Sequence, residues 1–212
     1  MMRSTNKLAL VIPILSMLYL PTASAAQAPA EPTAKVIAAW EQAGFTLRWV
    51  HFNDEGQTQW RLLGDQPAAG DLPVFTTRAF TAEKLAALPR PEAPFGLSIS
   101  GDDVLDIDLD EVAALKHLRL LVLTSRAITD DGLSRLARLT ELQHLHLYNT
   151  RATDAGLWHI AKLKQLRSLT LPRTQFGKAS LEQLAALEEL RLLRLTGKTQ
   201  EPGLKHLAGL KH

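Results

Sequence analysis

Two imidazoles and a phenol stand at alternate positions of one apolar run, His144-Leu145-His146-Leu147-Tyr148. In an extended strand alternate side chains leave the same face, so the three would emerge together. A histidine pair can begin a metal site, but zinc takes three or four protein ligands. The third would have to come from a neighbouring segment, and no carboxylate holds the matching place; Val122 and Thr170 do. The expectation is a solvated histidine pair, with no metal assigned. Asp102-Asp103 and Asp106-x-Asp108-x-Asp110 have the look of a calcium loop. Counting from Asp106, the sixth position is Glu111 where that loop needs Gly, and the twelfth is His117 where it needs a bidentate Glu. Leu105, Ile107 and Leu109 interleave with the acids, so a solvated face explains the run. No nucleophile elbow, P-loop or H-E-x-x-H occurs in the sequence, and neither catalysis nor a cofactor is expected.

The elements that must position these side chains are written repeatedly. Leu115, Leu118, Leu121, Leu123, Thr129, Asp130, Gly132, Leu133, Leu136 and Leu139 recur 24 positions later. Their counterparts are Leu139, Leu142, Leu145, Leu147, Thr153, Asp154, Gly156, Leu157, Ile160 and Leu163. An earlier unit carries Leu97, Ile99, Val104, Leu109 and Val112, and the first carries Phe75, Phe80, Leu85 and Leu88. Leu166, Leu169, Leu171, Phe176, Leu181, Leu184 and Leu187 make a later unit. The last holds Leu190, Leu193, Leu195, Leu204, Leu207 and Leu210, shortened by one residue near Pro202. About six repeats thus occupy residues 67–212 and end abruptly, with no C-terminal cap visible. Within each, the two leucines of L-x-L face inward on a short strand. Leu133, Leu136 and Leu139 then mark a short helix on the other side. Thr129 and Thr153 are placed to cap such helices, with Asp130 and Asp154 near the positive dipole end.

A 24-residue period carrying L-x-x-L-x-L resembles the leucine-rich repeat family. The T-D-x-G-L that follows is similar to its bacterial branch and to the F-box-associated, cysteine-containing (RNI-like) branch. The resemblance implies an α/β leucine-rich-repeat solenoid, a curved parallel sheet with short helices on the convex side. Where relatives place Asn, Cys or Thr, this chain has Arg78, Asp102, Arg126, Thr150, Thr174 and Lys198. Only Thr150 and Thr174 suit the side-chain ladder of that position.

The first 26 residues resemble a secretory signal peptide: Arg3 and Lys7, an apolar run of about 13 residues over 8–20, then Ala23 and Ala25 as A-x-A. That run is short for a membrane span, so the mature chain is expected to be exported and not integral to a membrane. Residues 27–33 are a Pro-containing linker. Residues 34–66 are expected to form an N-terminal cap, a helix through Gln42 followed by a hairpin with strands at 45–52 and 58–63. Such a cap would cover the first repeat's apolar face, with Trp40, Trp49 and Trp60 as core residues. Having no Cys, the chain depends on repeat stacking rather than disulfides.

Removing Arg3 and Lys7 with the signal leaves 22 of the 24 Lys/Arg, matching the 22 Asp/Glu. The charge is polarised: residues 27–114 hold 6 basic and 14 acidic side chains, and residues 115–212 hold 16 and 8. That asymmetry steers an acidic partner toward the C-terminal half, and a neutral exported chain is not expected to bind nucleic acid. The residues between the strand leucines should line the concave face: Leu120, Val122, His144, His146, Tyr148, Thr170 and Arg194, with Arg167 offering charge at one side. Exposed apolar and aromatic side chains clustered there predict docking of a protein partner. The alternatives are binding of cell-envelope glycans or small ligands by Tyr148 and the tryptophans, and self-association through the uncapped last repeat.

Overall fold

The computed structural model describes residues 31–53, 55–62, 64–172 and 182–196. The signal segment 1–26, most of the linker, Thr174, Phe176, Leu181, Lys198 and the apolar positions 204–210 lie outside the described residues.

Wherever an L-x-L run occurs, alternate leucines turn to one side and the backbone pairs with the strand of the preceding repeat. Thr33 caps helix α1, Ala34–Gln42, by accepting from the Val36 amide. Strands β1 (Thr46–Phe52) and β2 (Thr58–Trp60) follow as an antiparallel hairpin. The repeats then supply β3 (Leu72–Thr77), β4 (Phe95–Ser100), β5 (Leu118–Thr124), β6 (His144–Tyr148), β7 (Ser168–Pro172) and β8 (Leu192–Thr196), parallel to one another. One sheet holds all eight in the order β2-β1-β3-β4-β5-β6-β7-β8. Leu97, Leu121, Leu145, Leu169 and Leu193 stand side by side across it. On its convex side lie α2 (Ala82–Ala87), a 3₁₀ turn (Asp106–Asp108) running into α3 (Leu109–Ala113), α4 (Asp130–Leu136) and α5 (Asp154–Ile160). The repeat leucines are sealed between sheet and helices. The architecture is an α/β leucine-rich-repeat solenoid.

At the N-terminal end, Trp40 is fully buried. It stacks on Phe75 at 4.3 Å, meets Phe45 and Phe95 edge-on, and donates its Nε1 proton to the Pro89 carbonyl. The return strand is shorter than its sequence suggested, three residues instead of six. Trp49 is half-buried and Trp60 is exposed, so of the three tryptophans expected in the core only Trp40 sits there.

The T-D-x-G-L motif works between repeats as well as within them. Thr129 Oγ1 accepts from the Asp131 amide and Thr153 Oγ1 from the Ala155 amide, the expected caps. In addition, Asp130 accepts from both the backbone N–H (2.7 Å) and the hydroxyl (2.6 Å) of Thr153, one repeat later. Asp106 does the same for Thr129, at 2.9 and 2.6 Å. The glycine of the motif exists for that carboxylate. A Cβ on Gly132 would collide with Asp106 Oδ1, and one on Gly156 with Asp130 Oδ1. The acidic run therefore carries more than a solvated face, since Asp106 ties two repeats and Asp110 pairs with Arg135 and Arg138.

The side-chain ladder sits one residue earlier than expected. Ser125, buried, donates to the Val104 carbonyl at 2.9 Å and accepts from the Ala127 amide; Thr77 donates to the Gly44 carbonyl and accepts from the Ala79 amide. Position 125 turns inward as the strand ends, whereas its neighbour Arg126 is exposed. Gly132→Ala and Gly156→Ala should each lower stability by about 2 kcal/mol, because the new methyl displaces a carboxylate that cannot retreat without losing the next threonine. Urea midpoints measured against wild type check this; unchanged midpoints would remove the inter-repeat role of the motif.

Candidate functional site

The inner face of the sheet is built from rungs. Gly96, Leu120, His144, Ser168 and Leu192 form one; Ser98, Val122, His146, Thr170 and Arg194 form the next. Val122 and Thr170 flank His146 in register. The sheet curls, and the β1–β2 hairpin arches over these rungs. Val50 meets Val74 and Leu120 in a second apolar cluster, with Phe52, Leu72 and Val122 around it. Gly96 makes that possible, since a Cβ there would lie 2.8 Å from Val74 Cγ2 and 3.2 Å from Leu120 Cβ. Phe52 stacks on the His144 ring with centroids 3.7 Å apart. Thr58 Oγ1 and Ser168 Oγ lie 3.5 and 3.3 Å from His146 Nε2, within hydrogen-bond distance.

The expected exposure of this face is thereby corrected. Leu120 is 0% exposed, His144 5%, His146 7% and Thr170 2%. An inner face carrying leucine and valine gains by being covered, and the hairpin supplies Val50 and Phe52 to do it. Val122 and Tyr148 remain half-buried, and Arg194 is exposed.

Burial decides the electrostatics. Loss of water pushes the His144 pKa down to about 3, helped by the neighbouring His146 and by Arg167. Burial and Arg194 push His146 down to about 4. Both rings are neutral at physiological pH. His144 Nδ1 and Thr170 Oγ1 are buried with no hydrogen-bond partner among the described residues. Among those residues, no group of three or more His, Asp or Glu gathers as metal ligands. The hairpin's base is pinned by the buried Asp71, which accepts from Arg61, from the Ala68 amide at 2.7 Å and from His51 at 3.1 Å. Burial alone would raise the Asp71 pKa, but these bonds outweigh it and hold the carboxyl below its ordinary value.

Two features were missed from sequence. The hairpin's contact with β6 joins residues about ninety positions apart and leaves no local pattern. The other was legible as spacing. Arg119, Gln143, Arg167 and Arg191 recur every 24 residues, and their backbones join on one rung at the strands' N-terminal ends, at 2.9, 2.7 and 2.8 Å. With Phe52, Asn53 and His144 they line an open cleft of about 430 Å³. A second groove, near the strands' C-terminal ends, is lined by Trp60, Arg48, Thr46, Thr76, Ser98 and Ser100.

No protein-family model matches the chain, and no curated protein matches it. Among solved structures, an internalin (inlF) from Listeria monocytogenes is similar over 54% of this chain and 45% of its own, at 20% identity and a TM-score of 0.31. The chain thus spans less than half the length of that protein. No helix among the described residues is long and apolar enough to cross a membrane.

The neutral histidines predict an acid sensitivity. Between about pH 6.5 and about 4 the unfolded chain binds protons that the folded rings refuse. Stability must therefore fall as pH falls through that window, by up to about 1.4 kcal/mol per pH unit for each ring. The lowered Asp71 carboxyl acts in the same direction, at still lower pH. Thermal unfolding across the window checks this, and His144→Phe should flatten the slope. A wild-type midpoint independent of pH there would contradict the neutral, buried imidazoles.

Proposed function

We propose that this chain is an exported, non-catalytic module that binds a protein partner on the inner face of its sheet. In this reading residues 1–26 are a cleaved signal, 27–33 a linker, 34–66 an N-terminal cap and 67–212 repeats of the T-D-x-G-L branch. Val122, Tyr148 and Arg194 supply the accessible contacts. Leu120, His144, His146 and Thr170 act from beneath, seating the hairpin that walls the site. The observation that carries the reading is the rung Val122–His146–Thr170–Arg194, in which a half-buried valine and an exposed arginine flank a covered centre. Interfaces favour such a mixture of aromatic, aliphatic and arginine groups.

Crosslinking pull-down from the exported fraction tests it, comparing wild type with Val122→Asp/Tyr148→Ala/Arg194→Glu, with circular dichroism checking that the variant folds. Loss of about nine-tenths of the captured partner is expected from a folded variant. Equal capture by both would sink the inner-face assignment.

The glycan reading draws on a different observation: the exposed Trp60 at the rim of the hydroxyl-lined groove. Arg48 lies over its ring at 5.0 Å, and in this reading a sugar stacks on the ring's other face. If that reading is right, wild type should be retained on isolated cell-wall material and Trp60→Ala should not. Equal retention of both removes it.

A further inference from the structure

The rung of arginines at the strands' N-terminal ends has no assigned role. Arg167 and Arg191 are exposed, and neither is ion-paired among the described residues. Arg119 bonds Glu141, itself partly exposed, so one carboxylate already lies at the rung's edge. The hairpin turn closes the opposite wall. A Cβ on Gly56 would sit 3.9 Å from the Arg167 carbonyl and 3.9 Å from Leu192 Cβ. Beside the guanidiniums, His144 lines the cleft at 5% exposure, and its Nδ1 is without a partner among the described residues. Among the described residues the cleft thus joins two cations without an ion pair, Arg167 and Arg191, to a buried polar group without a hydrogen bond.

Register sets the spacing of the charges. Neighbouring strands lie about 4.8 Å apart, so Arg167 and Arg191 begin about 5 Å apart and Arg119 about 10 Å from Arg167. A lone small anion meets only part of this row. An extended peptide repeats same-face side chains about every 6.5–7 Å, within the reach of long arginine side chains, and its carboxylates match the guanidinium fork. Its backbone also supplies both donors and acceptors for Gln143, Asn53 and His144.

We infer that the cleft between the hairpin turn and the Arg119–Arg167–Arg191 rung is the docking site for an extended acidic segment of the protein partner. The inference rests on the interaction-module reading and supplies the partner's chemistry. Arg167 and Arg191 take its carboxylates, Arg119 takes a further one in competition with Glu141, and Phe52 and His144 form the floor.

Fluorescence anisotropy of a labelled hexaglutamate peptide, titrated with the full chain at low and at moderate salt, tests this. Saturable binding that weakens with salt is expected, with about a tenfold loss of affinity in Arg167→Glu/Arg191→Glu. Arg151→Glu, which changes the net charge on the exposed loop after β6, should leave binding within about twofold of wild type. No saturable binding, or equal losses in both variants, overturns the cleft. Competition by inorganic phosphate at matching concentration, or tighter binding of an oligouronate, overturns the peptide as occupant. So does a dimer in sedimentation that the double variant abolishes. If the peptide fails while pull-down still captures a partner through Val122, Tyr148 and Arg194, only this inference falls. If the peptide binds and pull-down finds nothing, the inner-face reading falls alone.

Discussion

No repeat of this chain can bury its own apolar face, and the rest of the architecture follows from that constraint. A strand of five residues and a helix of seven enclose leucines on one side only, so each unit is stable only when the next closes over it. The leucines at matching positions therefore stack in rows, and the hydrogen-bonded rungs fall into one register. The same dependence explains the T-D-x-G-L motif. The aspartate of one repeat holds the threonine of the next, and the glycine is the space its carboxylate occupies. Local capping and inter-repeat coupling are served by the same three residues.

Stacking solves the convex side and leaves the concave side open. Here the inner rungs carry leucine and valine, whose exposure to water is unfavourable, beside two imidazoles. The hairpin that opens the sheet folds across them and forms a second, smaller core with Val50, Val74 and Leu120. A single missing Cβ, at Gly96, lets the two valines and the leucine meet across an intervening strand. Covering the histidines removes their charge, because buried imidazolium in sight of Arg167 and Arg194 is doubly disfavoured. The concave face of the sheet thus becomes largely interior. Accessible on it are Tyr148 at the C-terminal end of β6, Arg194 on β8 and the arginine row at the strands' N-terminal ends.

Charge follows the same division. The basic excess of the second half resolves into helix-side arginines neutralised by Asp110 and strand-end arginines of which Arg119 pairs with Glu141 while Arg167 and Arg191 have no ion pair among the described residues. Composition could not separate these groups; register does, because it sets Arg119, Arg167 and Arg191 on one line against the hairpin turn.

Whatever repeats is legible along the chain: the 24-residue period, the inward leucines, the capping threonines and the parallel register around His146, and with them the α1 helix. These depend on neighbours in the chain or one period away, where spacing along the sequence equals position in space. What the hairpin touches depends on the curl of the packed sheet. Phe52 over His144 and Thr58 beside His146 are contacts across three and four intervening strands, and no periodicity encodes them. The inner-face residues were therefore placed on the correct side from sequence while their burial was not. Alternation fixes the direction in which a side chain leaves a strand, and only the packed fold determines what is waiting there.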